Sequence, residues 1–96
     1  MFVGALRAGL LIPGAQSLKQ KRSVVQSIVR TLDGWKGVAA AEVDYLELWG
    51  RTMIGVSVVG GSVSHVDDVL DSVDRFIWAQ PAIEVIEIER SWLEND

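Results

Sequence analysis

The chain contains no cysteine. Disulfides, thiolate nucleophiles and cysteine-ligated zinc or iron–sulfur centres are excluded together, and a reducing compartment is the natural setting. Histidine occurs once, as His65, beside a serine suited to capping a helix, which points to a surface role rather than metal or proton chemistry. The sole asparagine is Asn95, so an acylphosphatase-like site, which needs an asparagine on a strand, has no candidate. No Ser–His–acid or Cys–His set is evident. No apolar run approaches the roughly 18 residues of a membrane span. Phe2 to Ile12 is apolar, but it lacks a basic start and is interrupted by Arg7, unlike a signal peptide. These absences describe a soluble, cytoplasmic chain with no membrane partner, no expected cofactor or metal and no indicated small-molecule substrate.

What is present is apolar and unevenly charged. The 96 residues are 49% hydrophobic, enough for one domain that buries roughly 65% of its unfolded surface without covalent staples. The net charge is −4. Residues 1–38 carry six basic side chains against the single acid Asp33, whereas residues 39–96 carry three arginines against twelve acids. Such asymmetry hints at a partner surface.

Periodicity divides the chain into six elements. Phe2 to Ile12 alternates as a strand, closed by the turn dipeptide Pro13-Gly14. Ser17 to Gln20 has the S-x-x-Q form of a capping box, and Leu18, Val25, Ile28, Val29 and Leu32 then form a helical stripe ending at Asp33-Gly34. Gly34 suits a left-handed helix end. Val38 to Leu48 and Thr52 to Val59 read as a hairpin of strands joined through residues 48–51. Ser64 suits the cap of a second helix, with Asp67 at its third position and the stripe Val66, Val69, Leu70, Val73, Phe76 and Ile77. Ile83 to Trp92 is a last strand whose alternation slips between Val85 and Ile86, predicting a bulge or an edge position. Right-handed crossovers and one hairpin then give an α+β, ferredoxin-like βαββαβ sandwich over residues 1–96, sheet order 4-1-3-2, with both helices on one face.

The run Ile12-Pro13-Gly14-Ala15-Gln16-Ser17-Leu18-Lys19-Gln20-Lys21-Arg22, followed by Ala41-Glu42-Val43-Asp44, Leu48-Trp49 and Gly55-Val56, resembles the small bacterial YlxP-like proteins over nearly the whole chain. The resemblance implies the same ferredoxin-like fold. That family is functionally uncharacterised; its genes often sit among those for transcription elongation, translation initiation and ribosome maturation. It offers no catalytic residues to transfer.

Three surfaces carry chemistry. Lys19, Arg22, Gln26 and Arg30 form one exposed stripe on the first helix, with Lys21 beside it, and would attract phosphate; the alternative is a solvated face whose charges pair with acids of the second helix. The third strand has no aromatic residue for stacking bases, so any RNA would be held through phosphates. The open sheet face is expected to carry Val3, Ala5, Gly9, Val38, Ala40, Met53, Gly55 and Val59 with Arg7, Glu42, Asp44 and Ser57. A second copy would cover such a face, making a homodimer. Glu42 and Asp44, two positions apart, are expected to share that face near Arg7, either as an ion pair or hydrogen-bonded surface pair or, less favoured, as the centre of a small enzyme or ligand binder. Trp49, at the hairpin tip beside Arg51, is either a plug folded back on its own domain, the commoner case, or an exposed anchor, both residue types being enriched at binding hot spots. Trp35 and Trp78 are expected at the rim of the core. The expected function is a non-enzymatic accessory protein that binds a ribosomal particle or RNA through Lys19, Lys21, Arg22 and Arg30.

Overall fold

The computed structural model describes residues 1–93; residues 94–96, with Asn95, lie outside the described part. Six elements follow in the order β1 (Phe2–Leu11), α1 (Leu18–Asp33), β2 (Val38–Asp44), β3 (Arg51–Gly60), α2 (Val63–Trp78) and β4 (Glu84–Trp92). The four strands make one antiparallel sheet in the order β2-β3-β1-β4, the expected arrangement read from the other edge.

The sheet alternates where its strands are central. Leu6, Ala8 and Leu10 of β1 and Ile54, Val56 and Val58 of β3 point to the helices. They meet Ile28 and Leu32 of α1 and Val66, Leu70, Val73 and Ile77 of α2 in one core. Each buried Val, Leu or Ile side chain among them contributes roughly 1.5–3 kcal/mol by leaving water. Trp35 seals one end edge-to-face on Phe76, with ring centroids 5.6 Å apart. Trp78, expected at the same rim, is exposed instead, because it follows the buried Ile77 on the outer side of α2.

The bulge in the last strand falls where the alternation slips: Gly9 faces Glu87 and Leu10 faces Val85, leaving Ile86 over. Several local boundaries differ from the sequence reading. The second helix is capped by Ser62, whose hydroxyl accepts from His65 N at 3.2 Å, not by Ser64. Asp67 and Asp68 therefore lie beyond the first turn. Ser17 caps α1 as expected, but Gln20 Oε1 accepts from Gln16 N at 2.7 Å, one residue before the cap. Gly34 is right-handed; the left-handed position is Gly37, at φ 76°. A Cβ there would stand 2.8 Å from Val59 O, in the same place that Gly37 O accepts from Val59 N.

The main correction concerns β2. Val38, Ala40 and Glu42 face the helices, and Ala39, Ala41 and Val43 face the open side, the reverse of the expectation. β2 also ends at Asp44 rather than Leu48, after a register shift between Glu42 and Asp44. Ala-rich sequence gives an edge strand little alternation to read, and Glu42 was placed outward by its charge. Val43 instead leans across Gly55, where any Cβ would lie 2.9 Å from Val43 Cγ1.

Candidate functional site

Helix α1 has two faces of opposite use. Leu18, Lys21, Val25, Ile28 and Leu32 repeat at three and four residues and point inward; Lys21 is fully buried. Lys21 thus does not belong to the exposed basic surface. Its phase, midway between Leu18 and Val25, was the signal that its charge concealed.

The buried ammonium is fully employed. Lys21 Nζ lies 2.6 Å from Glu42 Oε2 and donates to Tyr45 O at 2.8 Å and Leu46 O at 3.4 Å. Three donors meet three acceptors, which is what a buried ammonium requires. Glu42 Oε2 also accepts the Thr52 hydroxyl at 2.5 Å. The cluster ties α1 to β3 and to the start of the β2–β3 loop, where Tyr45 has the left-handed φ of 60°. A non-glycine residue held there stores on the order of 1–3 kcal/mol, which the surrounding contacts must offset. This arrangement is a structural lock.

The remaining members of the expected open-face cluster do not converge. Arg7 stands opposite Glu89 and pairs with it at 2.7 Å. Asp44 Oδ1 accepts from Tyr45 N. Glu42 lies on the helix side of the sheet with Lys21. Glu42, Asp44 and Arg7 therefore form no common site.

Lys19, Arg22, Gln26 and Arg30 are exposed along the outer face of α1. Among the described residues, no carboxylate lies within 4 Å of Lys19, Arg22 or Arg30. Three of the four acids of α2 are engaged elsewhere: Asp67, Asp71 and Asp74 converge on Arg90 of β4 at 3.4, 2.8 and 3.4 Å. Burial lowers the Arg90 pKa, but the hydrogen bonds it donates to Asp71 and Asp74 and their charges outweigh it, so the net shift is upward. The signal for Arg90 in the sequence is the helical spacing of the three aspartates, which puts them on one face where a cation from another element can meet them. Arg22 and Gln26 also rim a cleft of about 230 Å³ with Val25, Val29 and Glu42.

At the loop between β2 and β3, Leu46, Leu48 and Trp49 are each about half exposed. Arg51 lays its guanidinium 4.3 Å from the centre of the Tyr45 ring, while its buried Nε has no hydrogen-bond partner. Leu11, Glu47, Leu48, Trp49, Gly50 and Arg51 line an open, mainly apolar cleft of about 540 Å³ there.

These features define a small α+β domain with one helical layer, a free sheet face and an unneutralised basic helix face. Residues 3–90 match the family described as "Protein of unknown function (DUF503)", and the chain belongs to that family. It is 30% identical over 91 residues to the "Uncharacterized protein YlxP" of Bacillus subtilis (strain 168), spanning 95% of this chain and 99% of that protein. The resemblance read from the Ile12–Arg22 run is thereby established. Among the described residues, no helix is long and apolar enough to cross a membrane, and no three His, Asp or Glu side chains converge as a metal-ligand set.

Proposed function

We propose that this chain is a cytoplasmic, non-catalytic accessory protein of ferredoxin-like fold that binds RNA phosphates on a ribosomal particle through the outer face of α1. The observation that carries this reading is the division of charge. Asp67, Asp71 and Asp74 of α2 pair with Arg90, and Lys19, Arg22 and Arg30 have no carboxylate within 4 Å among the described residues. Lys19 and Arg30 are eleven residues apart, about 16 Å along the helix, a span suited to successive phosphates. The capped start of α1 is occupied by Ser17 and Gln20, so the stripe rather than the helix end supplies the contacts. On the open face, β1 and β3 present Val3, Ala5, Arg7 and Gly9 and Met53, Gly55, Ser57 and Val59, with no ring for stacking bases. Recognition by phosphate alone is tolerant of sequence.

Co-sedimentation with ribosomal particles from the protein's own cell tests this. The wild-type chain is expected to travel with a particle at low salt, and the combined substitution Lys19→Glu, Arg22→Glu and Arg30→Glu to release it without unfolding. No association at low salt would overturn the reading.

A further inference from the structure

We propose that the β2–β3 loop is a self-complementary interface through which a second copy of this chain docks. Three independent features of the loop point to this.

The first is apolar exposure on a stiff support. Leu46, Leu48 and Trp49 are 53%, 50% and 54% exposed, yet the loop beneath them is tied down. Ile12 N donates to Gly50 O at 2.8 Å, Leu48 N to Tyr45 O at 3.1 Å, and Lys21 reaches both Tyr45 O and Leu46 O from the core. A segment already ordered loses little entropy on docking. Left-handed Tyr45, held by a buried lysine, makes the loop conformation one that the fold enforces.

The second is an unsatisfied cation. Arg51 is stacked on Tyr45, its Nε is buried without a partner, and no carboxylate lies within 4 Å of it among the described residues. A guanidinium can stack on a ring and still offer its planar donors to a carboxylate, which can take two at once.

The third decides the occupant. The same cleft carries an anion, Glu47, that has no cation within 4 Å among the described residues, Arg51 of its own chain included. Both signs around an apolar centre of Leu11, Leu48 and Trp49 make the patch complementary to itself across a twofold axis. There, Glu47 of each copy meets Arg51 of the other, while the leucines and tryptophans pack between them. A partner of one sign would leave either Glu47 or Arg51 facing like charge. None of Lys19, Arg22 and Arg30 lines this cleft, so dimerisation and RNA binding can fail independently.

Sedimentation of the full chain gives the test. The wild-type protein is expected to be a dimer at high micromolar concentration. Glu47→Arg alone and Arg51→Glu alone each weaken association at least about thirtyfold, since each sets like charges across the interface twice. An equimolar mixture of the two variants is expected to restore the dimer, because every cross-contact again pairs opposite charges. Circular dichroism establishes that both variants are folded. A wild-type monomer at that concentration would overturn the proposal and leave the cleft to an unrelated protein. So would a dimer indifferent to either substitution, or a mixture of folded variants that stays monomeric.

Discussion

Replacing Lys21 by Met removes one charge from the core while keeping most of the side-chain volume. Glu42 then keeps only the Thr52 hydroxyl, and Tyr45 O and Leu46 O lose their donor. Breaking a fully buried pair costs about 3–5 kcal/mol. The Glu42 side chain is 12% exposed, so water relieves part of that, and a loss of about 2–4 kcal/mol is expected. In a domain of this size each kcal/mol moves Tm by about 4–8 °C, which places the fall at roughly 8–32 °C. Urea denaturation followed by far-ultraviolet circular dichroism reads the free energy directly. The companion variant Lys21→Met with Glu42→Leu removes both charges and is expected to recover at least half of the loss, because paired buried charges are often replaceable by apolar groups. A single variant within about 0.5 kcal/mol of wild type would refute the reasoning, as would a double variant no better than the sum of its parts.

Two further outcomes concern the frame around the sites. Arg90→Ala leaves Asp67, Asp71 and Asp74 on one face without their cation, and a loss of about 1–2 kcal/mol is expected, shrinking with added salt in thermal melts. Gly37→Ala places a Cβ 2.8 Å from Val59 O at a left-handed φ, and chemical denaturation is expected to show a loss of at least about 1 kcal/mol.

Most of the fold was legible because its central elements obey simple periods. β1 and β3 alternate, α1 and α2 each carry one stripe, and the slip at Ile86 appears as a bulge. The candidate site was less legible, for one recurring reason. Lys21, Glu42 and Arg90 were read by their charge, as surface groups or not at all, when position and partner decide where a charge resides. Lys21 keeps perfect phase with Leu18 and Val25, but only the tertiary pairing with Glu42 makes that phase affordable. β2 was inverted because alanine hardly distinguishes its two faces, and the shift at Val43 then reverses the parity of Asp44. The half-exposed loop leucines and Trp49 depend on how Tyr45 to Gly50 folds back, which spacing does not record.

The basic face of α1 stands or falls on the salt dependence of its binding to RNA. Fluorescence titration of a labelled single-stranded RNA against the wild-type protein, over a series of monovalent salt concentrations, gives the slope of log K against log salt. Three phosphate contacts by Lys19, Arg22 and Arg30 predict a slope of about −2, corresponding to a roughly twentyfold loss between 50 and 200 mM. The triple substitution to glutamate is expected to abolish that binding. Undetectable binding at low salt, or a slope left unchanged by the triple substitution, would contradict the account.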